Sequence, residues 1–303
     1  MNPGRQAHLD QLGVGLLLAC PLFWGFQQVL IKATLPEIAP VFQAAVRFAG
    51  ATALLLLWCR WRGIALGQRD GSLKAGLLAG ALFALEFACL YTGLQFTSVA
   101  RLTIFLYTAP FWVALLLPVW VHTERLRIHQ WLGMALAFAA VALALQDRAG
   151  EALGEQHWLG DILALTAGLG WGLTTVTIRS SRLTEVSAEK LLLYQIGLST
   201  VCLPLLSLGL GESWSVHWSG FALSSLLLQT VVGAFASYLT WMWMLSRYPA
   251  TKMSAFSFLT PIFALVLGAV WLKEAVSVTL VICLALVLMG IALVNQRPRA
   301  PAR

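Results

Sequence analysis

The feature that most constrains this chain is an apolar run that recurs along almost its whole length, broken only by short polar turns. Each run holds about 18 residues or more, enough to cross a bilayer as a helix. Ten spans are expected, at about 12–32, 41–59, 74–95, 100–121, 129–146, 158–178, 189–209, 220–244, 250–272 and 275–294. The longest connection is the stretch "QDRAGEALGEQHW" in the middle of the chain, and no soluble domain is attached. Charged residues make up only 11% of the chain, against about 25% in a soluble domain. That leaves too little polar surface to coat a water-soluble particle, so the expected class is an all-α, multi-pass membrane protein. The first span is too long for a cleavable signal, holds Pro21 and Trp24, and lacks a small-residue cleavage site.

Basic residues orient such a chain, because they gather in cytoplasmic loops. With the N-terminus inside, fifteen Lys and Arg fall in inner segments and four (Lys32, Arg101, Arg148, Lys273) in outer ones, with Arg47 left inside a span. Both termini are therefore expected in the cytoplasm and the protein in the inner (plasma) membrane. The net charge of +7 is scattered over short loops and forms no continuous patch, which argues against a nucleic-acid partner.

One phrase is written twice. "LYTAPFWVALLLPVWVHTE" returns as "SFLTPIFALVLGAVWLKE": Pro261 follows Pro110 by 151 residues, Trp271 follows Trp120 by 151, and Glu274 follows Glu124 by 150. "FWG" at 23–25 likewise returns as "GWG" at 170–172. The halves, 1–148 and 149–303, would hold five spans each. Five is odd, so the second copy enters the membrane from the opposite side. Such inverted repeats are common in secondary transporters, which place their site at the junction near the bilayer midplane.

At these residues the chain resembles a known family. "YLTWMWMLSRYPATKMSAFSFLTPIFALVLGAVWLKEAVS" resembles the EamA repeat of the drug/metabolite transporter superfamily, in which a charged turn leads into a Leu-Thr-Pro span that ends in Glu. "YTGLQFTSVARLTIFLYTAPFWVALLLPVWVHTERL" fits more loosely, with Ala109 where the second half has Thr260. "VRFAGA" at 46–51 matches the Arg-Phe start of the family's second span. The resemblance implies ten helices, both termini inside, and export of small metabolites, often amino acids. Within the superfamily the chain looks most like YddG-type exporters, whose implied substrates include aromatic amino acids.

Four groups of residues are candidates for holding a solute. Glu86 lies deep in the third span, and an ionisable group at membrane depth is a functional candidate by default. Arg47 is its expected partner: at 1.5 Å per residue they lie about 9 and 13 Å below the outer ends of their spans. A structural ion pair that pins two helices is the alternative. On the proline helices, Thr103, Tyr107 and Pro110 share one face, and Ser254, Phe258 and Pro261 are their counterparts. Each proline frees a carbonyl four residues earlier, on Leu106 and Ser257, where a simple kink is the competing reading. Trp24 with Gln27 and Gln28, matched by Trp171 with Thr174 and Thr175, would offer an aromatic face beside polar groups. Gly25 and Gly172 follow each Trp, and close helix packing explains them equally. Tyr91 and Tyr238, with Trp241 and Trp243, form the last group, whereas Trp58, Trp61, Trp158, Trp218 and Trp271 read as interfacial anchors.

Other chemistries find little support. His8, His122, His129, His157 and His217 lie in loops or at span ends, no Asp lies deep in a span, and there is no P-loop. The five cysteines show no metal-ligand spacing. No cofactor or metal is expected, and the partners are a small-molecule substrate and the lipid bilayer, with monomer and oligomer both open. The expected function is export of small organic solutes by alternating access. Proton-coupled efflux of lipophilic cations is the alternative, and an intramembrane enzyme a minor one. A Glu86 without an ion partner would favour the cation version. A Glu86–Arg47 pair would weaken it.

Overall fold

The computed structural model describes residues 10–120, 128–146, 154–214, 216, 218–247, 256 and 259–294. Among them every regular element is a helix: α1 Gln11–Thr34, α2 Pro40–Arg62, α3 Leu73–Gly93, α4 Val99–Leu106, α5 Ala109–Trp120, α6 Ile128–Gln146, α7 His157–Arg179, α8 Ala188–Gly209, α9 Gly220–Leu227, α10 Ser237–Arg247, α11 Leu259–Trp271 and α12 Val278–Val294. A short 3₁₀ turn, Arg182–Thr184, precedes α8. Between α9 and α10 the chain is π-helical over Leu228–Ala236. Seven helical stretches are long and apolar enough to cross a membrane; the apolar stretches Trp131–Ala144, Leu259–Trp271 and Val278–Leu293 are shorter.

The helix starts are written in the sequence. Asp10, Ser98, Ser187, Ser219 and Ser277 each accept the backbone N–H three residues on, at 2.7–3.2 Å, which satisfies one of the orphan donors of a first turn. α2 instead starts with Pro40, and its next N–H groups, on Val41 and Phe42, are taken at 3.0 and 2.8 Å by the carboxylate of Glu212 from the segment after α8. A carboxylate there also suits the positive end of the helix dipole. α2 stops at Gly63, whose φ of 67° is left-handed, a conformation glycine adopts without steric cost.

Three expected boundaries shift. The fourth span, a single span with a kink at Pro110 as one reading of the sequence, is two helices here, broken at Tyr107–Thr108 just ahead of Pro110. The proline thus sits in the first turn of α5, where its missing N–H costs nothing. The tenth begins at Val278 rather than 275, because Ser277 caps it. The eighth holds a π-helical stretch that the sequence does not announce; its Thr230 lies against Gly50 of α2 and its Gly233 against Gln27 of α1.

Polarity runs opposite to that of a soluble protein. Leu57, Leu205, Leu227, Val270 and Ile128 are exposed, while Arg47, Gln43, Gln229, Arg101 and Asp161 are buried. An apolar coat around polar interior groups is what a lipid solvent selects. The principal neighbours are α1 with α11, α7 with α4 and α5, α3 with α7 and α8, the π-helical stretch with α1 and α2, α2 with α8, and α6 with α12. Connectors gather at two ends. At one, Lys32 binds Glu274 (2.8 Å) and the Thr97 carbonyl (2.6 Å), and Arg101 binds Asp161 through two bonds of 2.7 and 2.8 Å. At the other, Lys190 binds Asp70 (2.8 Å) and the Gln68 carbonyl (2.6 Å). The bond from Lys190, with two from the Ser72 hydroxyl and backbone N–H, holds the Asp70 carboxyl well below the usual carboxylate range.

Candidate substrate site

α2 carries Arg47 into the interior, where the residue is fully buried. Its guanidinium lies over the rings of Phe48 and Phe87, 4.9 and 5.2 Å from their centroids. Nη1 donates to the Tyr91 hydroxyl at 3.0 Å, and that hydroxyl donates to Gln229 Oε1 at 2.9 Å. Gln229 Nε2 donates to Ser225 Oγ at 3.0 Å, Ser225 meets Thr34 Oγ1 at 2.7 Å, and Thr34 donates to the Leu30 carbonyl at 2.7 Å. With Ser225 as donor to Thr34, every bond points away from the cation, so each polarises the next. Arg47 Nε and Nη2 are sealed from solvent and bond to no described residue.

Glu86 lies on the next helix, 7% exposed, its stem against Gly170 of α7. It forms no hydrogen bond or ion pair with a described residue, so the expected Glu86–Arg47 contact is not made. Arg47 acts on it only through space, and Tyr238 lies close to both. Matching depths were not sufficient, because Tyr91 and the two phenylalanine rings fix the guanidinium on another azimuth.

An aromatic wall stands beside this pair. Trp24 Nε1 donates to Ser237 Oγ at 3.0 Å, and the Trp24 ring meets Trp241 at 5.0 Å and Tyr238 at 6.5 Å, edge to face. The Tyr238 ring in turn meets Phe83 at 6.3 Å. The structure thus brings Glu86, Tyr91, Trp24 and Tyr238 into one neighbourhood built from α1, α3 and α10. Gln27 lies beside it, its amide oxygen against Gly233 and without a hydrogen-bond partner among the described residues.

The proline-helix residues form a second, tighter cluster. The Thr103 hydroxyl sits against the Gln28 amide and bonds the Val99 carbonyl at 2.7 Å. Tyr107 is buried with its ring edge-on to Trp171 at 5.5 Å. The Leu106 carbonyl is turned to Gly168 of α7, where a Cβ would lie 3.0 Å from it. Thr175 bonds the Trp171 carbonyl of its own helix at 3.0 Å, and Thr174 Oγ1 has no hydrogen-bond partner among the described residues. A Cβ on Gly25 would meet Ala264 N at 2.8 Å, and one on Gly172 would meet Trp112 Cβ at 2.6 Å. Both glycines therefore permit close helix approach. Pro261 is buried near the start of α11; Ser254, Ser257 and Phe258 lie outside the described residues.

Sequence reasoning missed Gln229, Ser225 and Thr34. The signal was present for Gln229, a lone amide in the apolar run "LLLQTVVGAF", and polar groups at membrane depth repay attention.

A model of the EamA-like transporter family matches the chain twice, over residues 11–146 and 158–296. An uncharacterized transporter of Synechocystis is 30% identical over 93% of this chain and 90% of its own length. One of Archaeoglobus fulgidus is 27% identical over 86% and 89%. A protein of Escherichia coli named a probable amino-acid metabolite efflux pump is 25% identical over 86% of each chain. A solved crystal structure superposes with a TM-score of 0.64 at 21% identity, over 92% of this chain and 95% of that one, and supports the fold alone. With both halves of its length matched, and with apolar helices enclosing a buried polar interior, this chain belongs to the EamA-like transporter family.

Proposed function

We propose that this protein is a ten-helix secondary transporter of the inner membrane, built from two inverted repeats (1–148 and 149–303) with both termini in the cytoplasm. It exports small organic solutes, amino acids and related metabolites including aromatic ones, by alternating access. The observation that carries this reading is the neighbourhood of the buried Glu86 and the half-buried Trp24 and Tyr238, to which both halves contribute. A carboxylate with no hydrogen-bond or ion-pair partner among the described residues, beside aromatic faces, suits a solute with an ammonium group and an apolar body.

The neighbour pattern supports two equivalent halves. Exchanging each helix with its counterpart turns α1–α11 into α7–α4/α5, α3–α8 into the π-helical stretch with α2, and α3–α7 into that stretch with α1, while α2–α8 and α6–α12 return to themselves. Junctions of this kind are where alternating access takes place. The basic count supports the orientation, and two of the four outer cations, Lys32 and Arg101, are neutralised by Glu274 and Asp161. The name of the Escherichia coli relative supports the substrate class.

The absence of a direct Glu86–Arg47 contact favours a second reading, efflux of lipophilic cations. Counterflow in proteoliposomes separates the two. Preloaded vesicles should accumulate labelled aromatic and branched amino acids faster than protein-free vesicles. Accumulation of labelled quaternary or polycyclic cations alone would transfer the assignment to the second reading, and accumulation of neither would remove both.

A further inference from the structure

Two side chains able to carry opposite charges lie buried on adjacent helices without touching. Arg47 is fully buried and Glu86 is 7% exposed. Buried charges are little screened, so flexible side chains of opposite sign would be expected to close on each other. They do not because Arg47 is held elsewhere. Its Nη1 is bonded to Tyr91 at 3.0 Å, its plane lies over Phe48 and Phe87 at 4.9 and 5.2 Å, and the hydrogen-bonded chain behind Tyr91 passes through Gln229 and Ser225 to Thr34. The guanidinium is thus a fixed positive charge near a carboxylate that is left for another cation.

A solute whose ammonium approaches Glu86 also enters the field of Arg47. A solute that is only a cation is repelled there, since unlike and like charges act over several ångströms in a low-dielectric interior. A solute that carries its own carboxylate cancels that repulsion.

Resting on the amino-acid reading above, we propose that Arg47 is a specificity-determining residue that makes the Glu86 site select zwitterions over organic cations of the same shape. Arg47 need not touch the solute to do this. It sets the local charge balance, and Tyr91 and Gln229 act as positioning residues that keep it from neutralising Glu86.

The test compares three ligands of one shape and different charge: L-phenylalanine, its methyl ester and 3-phenylpropionate. Binding to the purified wild-type protein is read as thermal stabilisation against ligand concentration. The zwitterion should half-saturate at a concentration roughly tenfold lower than the ester, a ratio equivalent to about 1.4 kcal/mol, and the anion should bind weakest. Arg47→Gln should shrink that ratio to roughly threefold or less, while Arg47→Lys, which keeps the charge, should retain most of it. If Arg47→Gln does not fold, Tyr91→Phe carries the same test: it frees Nη1, lets the guanidinium swing toward Glu86, and should narrow the ratio as well. An ester that binds as well as phenylalanine in the wild type overturns the proposal, as does a ratio unchanged in the variant that folds. If none of the three ligands binds, this proposal and the amino-acid reading fall together. If all bind without charge preference, only this proposal falls.

Discussion

Replacing Asp161 by leucine is expected to destabilise the protein more than most other single changes. Arg101 and Asp161 are 1% and 0% exposed at their side chains and joined by two bonds of 2.7 and 2.8 Å. The bidentate geometry makes these bonds strong. Removing one partner of a buried pair leaves an uncompensated charge, at a cost of about 3–5 kcal/mol. For a chain of 303 residues the shift is about 2 °C per kcal/mol, so the melting temperature should fall by about 6–10 °C. Removing both charges, with Arg101→Met and Asp161→Leu together, should recover most of that loss, because no charge then stays buried alone. The assay is thermal unfolding in one detergent, followed by tryptophan emission and by retention of the monodisperse peak. The reasoning is refuted if Asp161→Leu shifts the melting temperature by less than about 2 °C, or if the double variant is no more stable than the single one.

Tyr107→Ala is expected to lower stability by about 3–5 kcal/mol, since the ring is buried against Trp171; a drop in transport per folded molecule at unchanged stability would instead make that ring a solute contact. Gly172→Leu is expected to cost at least about 1–3 kcal/mol by driving a side chain into Trp112 and the Ala109 carbonyl, and wild-type melting would show that α5 and α7 can separate freely. For Asp70, whose pKa is depressed by Lys190 and Ser72, the stabilisation is present above the unfolded carboxyl value of about 3.9 and is lost as pH falls through the lower folded value. The melting difference between wild type and Asp70→Asn should therefore be constant from pH 8 to pH 6 and narrow only below about pH 4; a difference that changes between pH 8 and pH 6 would mean another group is titrating. A C-terminal reporter active only in the periplasm should stay silent, and strong activity would reverse the proposed orientation.

Much of the fold was legible because a membrane helix advertises itself. Long apolar runs marked α1, α2, α3, α7 and α8 to within about three residues at each end. Pro110 announced a break in the fourth span, although the break itself falls at Tyr107–Thr108. The π-helical stretch at Leu228–Ala236, which lies against Gly50 and Gln27, left no such mark in the sequence.

The site was legible in depth and not in azimuth. Counting residues placed Arg47 and Glu86 at similar levels, but not which way each points around its helix. That direction is set by partners far away in sequence: Tyr91 is 44 residues from Arg47, and Gln229 is 138 from Tyr91. Arg101 counts in the sequence only as one of four outer cations, since nothing local to it reveals a partner 60 residues off. Trp24, by contrast, was marked from the start by its polar and glycine neighbours, and it does stand beside Glu86's helix against Ser237 and Tyr238.

Counterflow with a single isosteric change at Glu86 tests the proposed site most directly. Proteoliposomes preloaded with unlabelled phenylalanine should take up labelled phenylalanine with the wild-type protein. Glu86→Gln keeps the size of the side chain and removes its charge, and a lost charged hydrogen-bond partner costs about 1.5–3 kcal/mol. Its initial rate should therefore fall at least roughly tenfold, at unchanged melting temperature and unchanged protein per vesicle. A Glu86→Gln protein that folds and exchanges phenylalanine at the wild-type rate would contradict the assignment of the substrate site to Glu86.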